Sequence, residues 1–542
     1  MRAAAAPRML TAITPLEVVM VHAESRNEKQ LAGSSAVALA ARIASGEVSA
    51  AEVVEAHIAR IDAVNPQLNA VVVPRYAQAR AEALDADRRR AAGEPMGPLH
   101  GVPVTIKECL DLAGTASTFG LPARAAHVAV ADDAYVAKLR AAGAIVLGKT
   151  NVAQLLMSIE SYNPVYGRTN NPWNVERSPG GSSGGEGAII AAGGSPLGLG
   201  TDIGGSARIP AAFCGIAGFK PTQGRTPDAG RGSIPFGQRA IVSQAGVLAR
   251  SVDDVAVALR IVGGAPDAAL EPAIPLGDDR LVDVANFRVA VYEDDGLFAA
   301  SPAVRRAVRE AARMLAAAGA HVTAWTAPDL SKAMDIFFGL MSADRGAGMR
   351  ALLRGGNVDP NIAPLLMMAK QGRPAIAAFR ALFGMLGQRR TAGMIAAFGY
   401  GDTHRYWQLA EAQIDYRRLF LDALDGDEGG PFDLVLSPPC ALPAFTHGAA
   451  RDLGLAGSYS LLANVLGFPA GVVPVTHVRA DEEGTRPESR DAVERTAAKV
   501  DRGSAGLPVG VQVMARPWRD DVALAAMRAI ETAANYRANS PM

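Results

Sequence analysis

The sequence predicts an α/β fold, with a large mixed, mostly parallel β-sheet covered by helices on both faces. Three observations predict it. Nearly half of the 542 residues are apolar (49%), enough to bury a large core. From residue 102 onward, short β-rich runs alternate with helical patterns, as layered α/β architectures require. No stretch reaches the uninterrupted apolar length of a membrane span, since the leading segment is cut by Pro7, Arg8, Pro15 and Glu17.

Residues 1–32 read as a flexible leader. A weak signal peptide ending at Val21-His22-Ala23 is the less favoured reading, because its apolar region is short and broken. Helical apolar spacing starts near Ser34, and a single domain over 33–536 is expected. Ser49 and Glu52 have the S-x-x-E spacing of a capping box and open an amphipathic run through Val53, Val54, Ile58 and Ile61. A strand at 102–106, a helix over 133–142 and a strand at 145–147 follow. Further strands are expected at 289–292 and 434–436, and Ser301-Pro302 is placed as N-cap and first residue of a helix running to Leu315.

Two segments stand apart. Residues 331–430 form a helical insert or cap, rich in Met, Phe and Leu. Within 361–390 it carries Lys370, Arg373, Arg380, Arg389 and Arg390 without an acidic residue, and Ile376, Phe379, Phe383 and Leu386 recur at helical spacing. A core-packing helix with a solvated basic face is the favoured reading; a weak membrane-surface contact or substrate-entry helix is the other. Residues 479–505, dense in charge, read as a solvated surface excursion.

Acidic and basic residues balance at 54 each, which excludes a global field drawing nucleic acid or anionic membrane to the whole molecule. The three scattered cysteines, Cys109, Cys214 and Cys440, lack metal or redox spacing, and a cytoplasmic protein with reduced thiols is expected.

Three patterns bear on chemistry. Residues 143–150, ending Gly148-Lys149-Thr150, fit the phosphate-loop expression, but the four central residues Ala-Ile-Val-Leu are strand-like and follow a helix, so nucleotide binding is rejected. Gly180-Gly-Ser182-Ser-Gly184 fits a nucleophile elbow with His447 or His477 downstream. Pro179 is a poor residue for the strand that must precede an elbow, and a second turn, Gly204-Gly205-Ser206, is left without a role. The third pattern joins Lys107, Ser182 and Ser206. A lysine serves as base only when burial keeps it neutral, and the apolar run before Lys107 supplies such surroundings. Glycines beside a serine admit a substrate carbonyl, and Ile203-Gly204-Gly205-Ser206 offers consecutive N–H groups for an oxyanion.

With these residues in view, the chain resembles the amidase signature family from about residue 34 to residue 534. The resemblance rests on Gly101-Val-Pro-Val-Thr-Ile-Lys107-Glu108, Gly148-Lys-Thr-Asn151, Pro172-Trp-Asn174, Gly180 to Glu186, Gly198 to Pro210, Phe213 to Thr222, Ser458-Tyr-Ser, Asn464, Phe468-Pro-Ala-Gly and Leu507 to Gln512. It implies the amidase signature fold, Lys107 as general base, Ser182 as bridging serine on a cis peptide, Ser206 as nucleophile, and Ile203, Gly204, Gly205 and Ser206 as oxyanion donors, with no metal or cofactor. The implied reaction is hydrolysis of the C–N bond of linear carboxamides through an acyl-enzyme. Glu186 makes the motifs more similar to the fatty acid amide hydrolase branch than to the A-type component of the tRNA-dependent amidotransferase, which usually has serine there. The implied partner is a small amide with an apolar acyl part, with esters or carbamates as side substrates; a homodimer stays open. Two alternatives are carried forward: an A-type component of a glutamine-dependent tRNA amidotransferase, and an α/β-hydrolase-type esterase using Ser182.

Overall fold

Eleven strands form one sheet. In chain order they are β1 (Val71–Pro74), β2 (Pro103–Lys107), β3 (Ile145–Thr150), β4 (Leu197–Asp202), β5 (Ala217–Lys220), β6 (Gln244–Ala249), β7 (Arg288–Val291), β8 (His321–Ala324), β9 (Leu434–Ser437), β10 (Ala470–His477) and β11 (Pro508–Ala515). Across the sheet the order is β1-β3-β2-β4-β6-β5-β10-β11-β9-β7-β8. The computed structural model describes residues 28–227, 237–264, 274–353, 356–396, 398, 401–426 and 428–536. Most of the expected leader therefore lies outside the described residues.

The sheet is mixed, as expected, but parallel pairing is confined to two blocks. β3-β2-β4 and β9-β7-β8 are parallel, and the other pairings, β1-β3, β4-β6, β6-β5, β5-β10, β10-β11 and β11-β9, are antiparallel. The expected parallel majority is thus corrected. The antiparallel centre comes from strands rich in glycine or joined by long excursions, which give no short hairpin signal. β2, β4, β6, β9 and β11 are buried at every residue. Since successive strand residues point to opposite faces, both faces must be covered.

Local signals at helix ends are realised. Ser49 and Glu52 make the reciprocal capping box of the helix Ala50–Leu68, and Ser301 and Pro302 open the helix Pro302–Ala317. The insert contains the helices Leu330–Met341, Ala347–Leu352, Ala363–Lys370, Arg373–Met385, Arg389–Ala396 and Thr403–Asp425. It adds a second small core of Met368, Ala369, Ile376, Ile395 and Phe398, on which Phe379 and Phe383 pack. Leu382, Met385 and Leu386 remain exposed.

The charged stretch 479–505 lies at the surface but is ordered. It contains the helix Ala492–Asp501, with Val493, Ala497 and Val500 buried. Its charges are used in pairs: Arg486 with Glu494 and Asp501, Glu482 with Arg306, and Glu494 with Arg390 of the insert. This surface stretch thus carries paired charges together with an ordered helix. No helix among the described residues is long and apolar enough to cross a membrane.

Candidate active site

β2, β3 and β4 run parallel and end at one edge of the sheet, with Lys107, Thr150 and Asp202 as their last residues. Ligand sites of α/β sheets form beyond such carboxyl ends. Lys107 is in register with Thr150, and Thr105 with Gly198. Lys107 and Ser182 are both fully buried, and Lys107 Nζ donates to Ser182 Oγ at 2.7 Å. A second bond runs from Nζ to Thr201 Oγ1 at 2.8 Å. Burial pushes Lys107 down to about 8, against the smaller opposing effects of Cys109, Asp202 and Glu186. An amine so placed loses its charge closer to neutral pH than an exposed lysine does.

Ser182 stands in the turn that enters the helix Gly184–Ala191, and the Gly181–Ser182 peptide is cis. Ser161 laces this turn: its Oγ donates to the Gly180 carbonyl at 3.1 Å and accepts from Gly184 N–H at 2.9 Å. The second serine turn is joined to the first by the Ser183 N–H, which donates to the Ser206 carbonyl at 3.1 Å. Ser206 follows β4 at the mouth of the site. It is 9% exposed whereas Lys107 and Ser182 are 0% exposed, so of the three it lies nearest to solvent.

The turn holding Ser206 is built around Asp202. Its carboxylate accepts from Gly205 N–H at 2.8 Å and Ala207 N–H at 3.2 Å, and it is paired with Arg208 at 2.9 Å. Burial would raise Asp202, but the guanidinium outweighs it and holds the carboxyl well below the usual range. Arg208, itself fully buried, continues to Ser460 O, Gln512 Oε1 and Asn464 Oδ1. This network accounts for several separated motifs of the sequence at once.

Of the four expected oxyanion donors, Gly205 N–H is engaged by Asp202 in this structure. Over Gly204 lie two apolar side chains: a Cβ there would stand 2.7 Å from Leu461 Cδ2 and 3.2 Å from Phe337 Cζ. Phe337 comes from the insert helix Leu330–Met341, which thereby reaches the site.

The competing patterns are separated from this chemistry. Lys149 of the phosphate-loop match is strand-bound and donates to Ala116 O at 2.6 Å and Ser117 Oγ at 2.8 Å, pinning a loop. His447 Nε2 contacts the Val175 carbonyl at 3.1 Å and His477 Nε2 the Tyr536 hydroxyl at 3.1 Å; the partner found for Ser182 Oγ is the lysine. Sequence reasoning missed Thr201, Ser161 and the Asp202–Arg208 pair. Thr201 was readable as the residue beside Asp202 in Gly-Thr-Asp-Ile-Gly-Gly-Ser. No group of three His, Cys, Asp or Glu side chains among the described residues is placed to hold a metal ion.

A buried lysine joined to a serine, beside a glycine-rich serine turn at the carboxyl ends of parallel strands, defines the class as an α/β enzyme of the hydrolase type. The chain belongs to the amidase family, whose family model matches residues 52–524, and it is an amidohydrolase with the amidase signature fold. It is 35% identical over 506 residues to fatty-acid amide hydrolase 1 of Sus scrofa, covering 91% of this chain and 84% of that one. It is 32% identical over 511 residues to the A-type component of the glutamyl-tRNA(Gln) amidotransferase of Roseiflexus castenholzii (strain DSM 13941 / HLO8), covering 92% and 95%. Among solved structures, a fatty acid amide hydrolase superposes with a TM-score of 0.82 at 25% identity, covering 97% of this chain and 92% of that one.

Proposed function

We propose that this amidase works alone on linear amides with an apolar acyl part, N-acyl or fatty acid amides among them, by a Ser206-Ser182-Lys107 relay. The observation that carries the reading is the 2.7 Å bond from a fully buried Lys107 Nζ to Ser182 Oγ. Neutral Lys107 takes the Ser182 proton as Ser182 takes that of Ser206, and Ser206 Oγ bonds to the substrate carbonyl carbon. The oxyanion is held by the N–H groups of Ile203, Gly204 and Ser206. The C–N bond then breaks, the proton returns through Ser182 to the leaving amine, and water releases the acid from the acyl-enzyme by the same relay.

The apolar substrate preference is supported by Phe337 and Leu461 beside Gly204, and by the likeness to fatty-acid amide hydrolase 1. Esters and carbamates enter as side substrates, since the same acyl-enzyme serves them. The exposed Leu382, Met385 and Leu386 beside the exposed Arg389 support a weak membrane-surface contact. Three buried, unbridged cysteines support a cytoplasmic setting.

Ser206→Ala tests the assignment: turnover and acylation by a fluorophosphonate probe are both expected to disappear, and full-rate labelling would overturn it. The similarity to an amidotransferase component favours one second reading, a chain active only with partner proteins and glutamine. Hydrolysis of simple amides by the purified chain alone excludes that reading, and no hydrolysis without partners would support it.

A further inference from the structure

Glu186 is a buried acid for which the relay has no use. It stands in the first turn of the helix Gly184–Ala191 and is fully buried. Thr105 Oγ1 donates to its Oε2 at 2.7 Å and Thr150 Oγ1 to its Oε1 at 2.8 Å. Both threonines belong to strands around the lysine. Thr105 precedes Lys107 by two residues and so shares its face of β2, while Thr150 is its register partner on β3. On the third side, β4 supplies Gly198, where a Cβ would overlap Glu186 Oε2. The carboxyl thus fills a slot that a glycine opens, bonded to Thr105, whose Cα lies roughly 7 Å from that of Lys107 along β2. Among the described residues its hydrogen-bond partners are neutral hydroxyls, without an ammonium or guanidinium.

We propose that Glu186 is a positioning residue acting through Lys107: its carboxyl shares the proton that the lysine must give up, and so sets the pH at which Lys107 becomes a base. This rests on the reading of Lys107 as base. With both groups protonated, the lysine is an ammonium and idle. Removal of one proton leaves the pair either as neutral amine with neutral acid, or as ammonium with carboxylate. Only the first arrangement can accept from Ser182. The second diverts population, so that the acid limb of activity is displaced upward and spread over two ionisations.

Burial raises Glu186, and Lys107 is the charged group that opposes this. The other ionisable groups facing the lysine are Cys109 and Asp202. Burial pushes the Cys109 thiol up to about 11, leaving it neutral, and Asp202 is ionised against Arg208. Ser182 and Thr201 are neutral, and Lys149 on β3 is turned to Ala116 and Ser117. Glu186 is therefore the neighbour whose charge changes with that of the lysine.

Glu186→Gln keeps the shape and can serve both threonine hydroxyls. At a charge separation on the order of that strand spacing, about 7 Å, and an effective dielectric near 20, a unit charge moves a pKa by roughly 1–2 units. The acid limb of kcat/KM is expected to move to lower pH by about that amount and to steepen to a single ionisation. A limb at the wild-type position overturns the proposal. Should the variant fail to fold, infrared spectroscopy of Lys107→Met gives the reciprocal readout: the carboxylic acid band of Glu186 is expected to persist to higher pH than in the wild type, and an unchanged midpoint overturns the proposal. If Lys107→Met keeps full activity, the base assignment itself is wrong. If that variant is inactive while Glu186→Gln leaves the limb unmoved, only the present inference fails.

Discussion

Gly205→Ala perturbs the Ser206 turn at its tightest point. Gly205 has φ of +99°, outside the region L side chains adopt readily, and a Cβ there would stand 2.6 Å from Ser460 Cβ and 3.0 Å from Ile209 Cδ1. Carbon atoms pack at about 3.5–4.0 Å, so the turn must move by roughly 1 Å. Ser460 cannot yield easily, because it is buried in the helix Ser458–Leu466 and its Oγ donates to the Pro439 carbonyl at 2.6 Å. The displacement falls on the turn itself, breaking the Gly205 N–H bond to Asp202 and carrying Ser206 with it. A shift of about 1 Å in a reacting group costs on the order of 10²-fold in rate. Fluorophosphonate labelling and kcat/KM for an N-acyl anilide, compared with thermal unfolding of the same preparation, read the effect. Wild-type labelling by a folded Gly205→Ala protein would refute the placement of Ser206 by this turn.

Thr201→Val removes the second acceptor of Lys107 Nζ while keeping side-chain shape; a net hydrogen bond of about 1 kcal/mol predicts a fall of roughly 5-fold in kcat/KM, with the loss in kcat. Arg208→Met leaves Asp202 buried without its cation and is expected to destabilise the fold by about 3–5 kcal/mol, read from urea unfolding. His447→Gln and His477→Gln, made separately, should retain kcat/KM within about 2-fold, because the residue bonded to Ser182 is Lys107. A severe loss in either would revive a histidine mechanism.

The Lys107–Ser182 contact of the candidate site was legible where local chemistry carried the signal. Lys107 ends an apolar strand, and the two serines sit among glycines, so residue type and spacing named them. Thr105, Thr150 and Thr201 were not legible, because their partners lie 81, 36 and 94 residues away and are set by strand register. β4 was missed for a related reason: Gly198 and Gly200 weaken a strand pattern, yet they are there because Glu186 and Ser183 approach the sheet closely. The charged segment 479–505 reads as solvated in sequence because Arg306, the partner of Glu482, is 176 residues away, beyond any local pattern. The parallel blocks were foreseen from strand and helix alternation. The antiparallel centre was not, since β10 and β11 are joined by that same long segment rather than by a tight turn.

Burial of Lys107 places its ionisation at about 8 rather than at the ordinary lysine value of 10.5, and in the proposed relay the neutral amine is the active form. The rate of Ser206 acylation by a fluorophosphonate, followed against pH in the wild type and in Lys107→Met, addresses that placement directly. Acylation should fall as pH drops through about 8, and Lys107→Met should lose at least about 10²-fold at every pH. A midpoint near 10.5 in the wild type, or labelling of Lys107→Met at the wild-type rate, would contradict a lysine that works by being neutral.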